Sequence, residues 1–159
     1  MSLAQQLSRA IDEGKHRPRK WLHIKPSMFK GEPGKGQQEA ADVAGDLLTE
    51  RKQALLTGAI RKKLPPIYSQ ENEKDPMVWL KLFSPYMATG YWLVTEFDGE
   101  DTMFGAANIG LGWELGYMSL SEMENTKHRG VQAVERDMYF KPTRLSKAKA
   151  DISRSRGEN

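Results

Sequence analysis

Residues 90–105 read GYWLVTEFDGEDTMFG, from Gly90 to Gly105: two β-prone runs meeting at Asp98-Gly99, with Glu96, Asp98, Glu100 and Asp101 crowded around the joint. Asp-Gly between alternating apolar residues is a strong hairpin signal, because a two-residue type I′ turn needs positive φ at both central positions. Such a turn pairs Phe97 with Glu100, Glu96 with Asp101, Thr95 with Thr102, Val94 with Met103 and Leu93 with Phe104. Glu96 and Asp101 then share one face. Like charges opposed across a sheet are destabilising, so the pair calls for a cation, a shared proton or open solvent. A four-residue loop, Asp98 to Asp101, pairs Phe97 with Thr102 instead and leaves the acids at a solvated tip. The two-residue turn is the preferred expectation of the two.

Outward from the hairpin, Met77 to Phe83 (MVWLKLF) is dense in β-formers and is closed by Ser84-Pro85. Before it, Thr57 has the position to cap a short helix carrying Ile60, Arg61, Lys62 and Lys63, which must stop before Pro65-Pro66. After the hairpin, Gly110-Leu111-Gly112 is loop, and Trp113 to Met118 alternates as a strand with Trp113, Leu115 and Tyr117 on one face. Ser119 and Glu122 have capping-box spacing, which predicts a helix from Leu120 to about Lys127. Arg136 to Phe140 reads as a last strand closed by Pro142, and Ser146 to Arg156 as a helix fraying into a basic tail. Trp79, Trp92, Trp113, Tyr117 and Phe104 are the expected core aromatics.

The fold expected is α+β: a small antiparallel sheet of about four strands with short packing helices, plus a helical N-terminal extension. In that extension Ser2 caps a helix with Leu3, Leu7 and Ile11 on one face, and Gln37 to Glu50 repeats the pattern with Ala40, Val43, Ala44, Leu47 and Leu48. Between them lie the basic run Lys15 to Lys20, a short strand at Trp21 to Ile24, and a Gly- and Pro-rich linker from Lys30 to Gly36. Three parts follow: a basic extension over 1–52, the α+β domain over 53–142 and a basic tail over 143–159.

At 159 residues, 38% hydrophobic and with a mean hydropathy of -0.66, the chain suits one domain with extensions that add little to its core. No apolar run approaches the roughly 20 residues of a membrane span, and no secretory h-region is present. The absence of cysteine rules out thiolate metal sites, disulfides and thiol nucleophiles, and points to a cytoplasmic protein. The net charge of +3 hides an uneven layout. Residues 1–66 hold 13 basic and 7 acidic side chains, 67–126 hold 2 and 10, and 127–159 hold 9 and 4, so an acidic centre lies between basic arms.

Known catalytic patterns fail on their own terms. The Lys30 to Gly36 run lacks the first glycine and the Ser or Thr of a phosphate loop, those places being Phe29 and Gly36. The acidic turn lacks a calcium loop's twelfth-position Glu, since Ile109 stands there. His16, His23 and His128 show no metal-ligand spacing and read as surface loop residues, and no Gly-x-Ser-x-Gly elbow occurs. What remains is the carboxylate cluster Glu96, Asp98, Glu100 and Asp101, with Lys81 as its expected cross-strand neighbour, and the basic set Arg17, Arg19, Lys20, Arg144, Lys147 and Lys149. The carboxylates suit a partner-binding acidic face, or the acid, base and divalent-ion ligands of a hydrolase. The cations suit phosphate contacts, or they fold back onto the acidic sheet as internal counter-charge.

Leu55-Leu56-Thr57, Arg61 to Ser69 (RKKLPPIYS), Glu96 to Asp101 (EFDGED), Phe104-Gly105, Glu114 to Tyr117 (ELGY), Ser119 to Glu122 (SLSE), Glu135-Arg136-Asp137, Tyr139-Phe140 and Pro142 together resemble a family of short bacterial proteins catalogued as a domain of unknown function. The family is borne largely on plasmids, integrative elements and phages. The likeness covers roughly Gln53 to Pro142 and not Met1 to Lys52, and Ala106 to Gly112 makes a longer link than the family's. It implies a compact α+β domain and a mobile-element setting, and brings no catalytic residues. The resulting expectation is a non-enzymatic module that binds a host or plasmid protein through the acidic hairpin face, without cofactor, metal or membrane. Nucleic-acid binding by the basic arms is the alternative, and a carboxylate-dependent metal hydrolase the third reading.

Overall fold

Tyr91–Phe97 (β3) and Thr102–Asn108 (β4) form the expected antiparallel hairpin, and it lies at the middle of a five-stranded sheet. The computed structural model describes Gln5 and residues 19–24, 28–29, 54–87 and 89–157. In chain order the elements are α1 (Gly58–Lys63), β1 (Met77–Val78), β2 (Leu80–Phe83), β3, β4, β5 (Trp113–Ser119), α2 (Leu120–Asn125), β6 (Lys127–His128), β7 (Val131–Gln132), β8 (Glu135–Arg136), β9 (Thr143–Arg144) and α3 (Leu145–Ser155). The large sheet runs β5-β4-β3-β2-β8 with every pair antiparallel, while β1 pairs with β9 and β6 with β7 in small ladders. The α+β expectation holds at this level. The expected helices of the N-terminal extension and the Lys30 to Gly36 linker lie outside the described residues, apart from Gln5, so the helical extension has no support.

The hairpin register differs from both expectations. Phe97 pairs with Met103 and Glu96 with Phe104, whereas Val94 pairs with Gly105 and Leu93 with Ala106. The register shifts between Val94 and Glu96, which leaves Thr95 as the extra residue of a β-bulge. Strict alternation would keep Trp92, Val94 and Glu96 on one face; the bulge turns Glu96 to the other and brings Phe97 in beside Trp92 and Val94. Gln70 fixes the bulge, its Nε2 donating to the carbonyls of Thr95 (2.8 Å) and Met77 (3.0 Å) while its Oε1 accepts from the Met77 N–H (2.7 Å).

The sheet is covered on both faces. One carries the main core, with Leu80, Leu82, Trp92, Val94, Phe97, Met103 and Met118 packed against Leu55, Leu56, Leu64, Leu120 and Met123. The other joins Val78, Leu93 and Ala106 to Leu145, Ala148 and Ile152 of α3. These α3 positions recur at helical spacing, and burying each Leu or Ile side chain is worth about 1.5–3 kcal/mol. The segment after Pro142 is therefore built into the fold up to Ser155.

Three further differences have local causes. The run from Met77 to Phe83 breaks at Trp79, where the chain leaves the β1 ladder and enters the large sheet. The strand expected over Arg136 to Phe140 shrinks to Glu135–Arg136, because Asp137 accepts from the Tyr139 N–H (2.9 Å) and turns the chain. The helix after Ser119 stops at Asn125, and Thr126 donates its hydroxyl back to the Glu122 carbonyl (2.6 Å).

Candidate functional site

The four acids of the hairpin do not form one cluster. Asp98 closes the turn: its Oδ1 accepts from the N–H groups of Glu100 (2.8 Å), Asp101 (2.9 Å) and Thr102 (3.0 Å), while its own N–H donates to the Thr102 carbonyl (2.9 Å). That bonding, with Gly99 at φ +89°, replaces the expected two-residue turn by a three-residue tip. Glu100 is exposed at the tip. Asp101 reaches sideways to the start of α2, accepting from Ser119 Oγ (2.6 Å) and the Ser121 N–H (2.7 Å). Partial burial works to raise its pKa, but the hydrogen bonds from Ser119 and Ser121 outweigh this and hold the carboxyl below its ordinary range.

Glu96 lies inside the protein, 1% exposed, and does not oppose Asp101. Its Oε1 accepts from the Arg19 guanidinium (2.7 Å) and the Tyr68 N–H (2.8 Å), and its Oε2 from the Gln70 N–H (3.1 Å). Tyr68 holds φ +70° to present that N–H, a left-handed conformation costly for a bulky residue. The Arg19 Cζ lies over the rings of Phe104, 3.6 Å from its centroid, and Tyr68, at 4.3 Å, and 5.9 Å from the centroid of Tyr117. The Tyr117 hydroxyl donates to that of Tyr68 (2.6 Å), and burial together with this bond pushes the Tyr117 pKa well above its ordinary value. The result is a buried pocket with one carboxylate at its base and aromatic walls, filled by a guanidinium group.

Arg19 arrives on a segment bridged to the edge of β5. Leu22 N–H donates to the Tyr117 carbonyl (2.7 Å) and Tyr117 N–H to the Lys20 carbonyl (2.8 Å), so the segment runs parallel to β5 along its free edge. The short strand expected at Trp21 to Ile24 is reduced to a single bridge at that edge, Trp21 opposite Tyr117. Gly116 makes it fit: a Cβ there would lie 2.6 Å from the Lys20 carbonyl oxygen and from Leu22 Cγ. Surface carboxylates follow the same line, with Lys20 paired to Glu114 (3.0 Å) and His23 beside Glu122 (3.4 Å).

Of the expected phosphate-contacting cations, Arg17 lies outside the described residues, Arg19 is buried and Lys20 faces Glu114. Around the C-terminal helix, Arg144 donates to the Asp75 carbonyl (3.1 Å), Lys147 pairs with Asp151 (2.8 Å) and Lys149 sits 5.5 Å from the Trp113 ring centroid. Lys81 pairs with Asp137 (3.1 Å), not with the acidic turn; Arg61 reaches that turn instead, donating to the Gly99 carbonyl (2.9 Å). His16 is outside the described residues. His128 belongs to β6 and packs against Phe29 and Tyr86, not on a surface loop. Among the described residues no three His, Asp or Glu side chains are grouped to hold a metal ion, and no helix is long and apolar enough to cross a membrane.

Sequence reasoning did not find Tyr68, Gln70 or Gly116, and it placed Phe104 and Tyr117 only as core. Gly116 carried a usable signal, since glycine inside a strand often marks close approach of another backbone.

Residues 47–158 match the model of a family described as protein of unknown function (DUF2958), and the chain belongs to that family. No curated protein and no solved structure matches it.

Proposed function

We propose that this DUF2958 member is a non-enzymatic binding module that contacts a host or plasmid protein through the acidic face spanning the hairpin and β5. One observation carries the reading: the β5 edge, with carboxylates from β3, β5 and α2, already holds a basic segment, with Arg19 on Glu96, Lys20 on Glu114 and His23 beside Glu122. Addition of a strand to an open sheet edge is a general mode of peptide recognition, in which main-chain bonds give affinity and side-chain pockets give selectivity. Exposed Glu100 extends the acidic surface beyond that segment. The mobile-element setting implied by the family resemblance suits a protein that acts by contact rather than by turnover.

Affinity capture from the native host, followed by mass spectrometry, tests the reading. The Glu100→Lys/Glu114→Lys variant should lose specific prey that the parent retains. These positions are preferable to Asp98 and Asp101, whose carboxylates hold the turn and the α2 start. Identical prey for variant and parent would sink the acidic-face reading. Retention on DNA that falls steeply with salt and vanishes on charge reversal at Arg144, Lys147 and Lys149 would favour nucleic-acid binding instead.

A further inference from the structure

We infer that Glu96, Tyr68, Phe104 and Tyr117 form an arginine-selective recognition pocket, occupied here in cis by Arg19, and that an extended arginine-bearing segment of a protein partner binds by displacing the chain's own arm. The inference rests on the acidic-face reading and names the partner's chemistry.

The pocket and its occupant belong to different parts of the chain. Tyr68, Glu96, Phe104, Gly116 and Tyr117 all lie within the residues matched by the family, 47–158, whereas Arg19 lies outside them. The domain therefore carries the site, and the arm supplies one ligand for it. The bulge at Thr95 turns the Glu96 carboxylate towards Phe104, and Gly116 leaves room for a backbone along β5. Both features serve any extended segment that brings a guanidinium to the same place.

Selectivity for arginine follows from shape. A planar guanidinium can lie over the Phe104 and Tyr68 rings while donating in its plane to Glu96; the tetrahedral ammonium of lysine donates but does not stack. The rest of the arm is held unevenly: Ile24 is buried in the main core with Leu22 packed against it, while the residues between Arg19 and Leu22 are loosely covered. Two main-chain bonds join it to Tyr117, Trp21 is 43% exposed, and the Lys20 and His23 side chains are more exposed still. Arg19, with 8% of its side chain exposed, is the polar anchor, and Ile24, 8% exposed, the apolar one. A tethered ligand acts at a local concentration in the millimolar range, so a free segment competes poorly until the tethered arginine is weakened.

The test is a titration of a capped synthetic peptide with the sequence of residues 19–24, RKWLHI, followed by calorimetry. It is run on the full chain, on Arg19→Ala and on the conservative Arg19→Lys, with circular dichroism to establish that each is folded. Expected is binding to the variants at least about tenfold tighter than to the parent, and a loss of about tenfold or more when the peptide arginine is replaced by lysine. Arg19→Lys carries the test if Arg19→Ala does not fold. Equal binding of arginine and lysine peptides, or no binding to a folded variant up to about millimolar peptide, would overturn the inference. Captured prey that still change with Glu100→Lys/Glu114→Lys would then leave the acidic-face reading standing. Arginine-selective peptide binding with unchanged prey would sink that reading and leave the pocket.

Discussion

Glu96 shows how far a residue's chemistry depends on a neighbour's geometry. It sits in a run whose alternation would bury it among apolar side chains, and it ends in a pocket that meets its charge with one guanidinium and two N–H groups. Removing one member of a buried ion pair leaves the other uncompensated. Arg19→Ala should therefore cost about 3–5 kcal/mol in urea unfolding, whereas adding Glu96→Gln should recover part of that loss; simple additivity of the two changes would contradict the direct pairing. Asp101 makes a different prediction, because its folded pKa lies below the ordinary 3.8. A carboxyl with a depressed folded pKa contributes stability that is fully present above the unfolded value and is lost as pH falls through the folded one. The stability gap between the parent and Asp101→Asn should be widest at neutral pH and close as the solution is acidified below about pH 4. A gap independent of pH would mean that the carboxylate charge is not what binds Ser119 and Ser121.

Elements with local causes were legible in the sequence. Thr57 accepts from the Ile60 N–H (3.2 Å) at the start of α1, and Ser119 accepts from the Glu122 N–H (3.2 Å) at the start of α2, both as their spacing implies. The hairpin itself was legible from its Asp-Gly joint, but its register was not. The bulge is held by Gln70, 25 residues before Thr95, and a contact so distant leaves no periodic trace in the strand. Inserting one residue opposite Thr95, between Phe104 and Gly105, should restore strict alternation with Thr95 in place, drive Glu96 into the main core and Phe97 out of it, and abolish cooperative unfolding. A folded insertion variant with native-like melting would show that the register is set elsewhere. The pocket escaped for the same reason. Its parts come from the arm, the turn around Tyr68 and three strands, and only the tertiary fold brings them together.

Over the whole molecule, the sequence shows an acidic centre between basic arms, and the structure places the arm residues 19–24 against that centre. Charge layout made this one of two readings; the depth of Arg19 could not be read from it. Gly116→Ala probes the docking without touching a charge, because its methyl group would meet the Lys20 carbonyl at 2.6 Å. The variant should keep the five-stranded sheet while hydrogen exchange at Leu22 and tryptic cleavage after Lys20 both quicken; unchanged protection there would show that the arm does not need the glycine. The same docking bears on solubility. β8, at one edge of the sheet, is only two residues long, whereas β5 at the other is a seven-residue strand whose outer side meets the arm at Tyr117. Long open strand edges pair with copies of themselves, so the arm also works as a guard strip. A chain whose arm has been released should show light scattering that rises with protein concentration, and aggregation would then compete with any partner for the same edge.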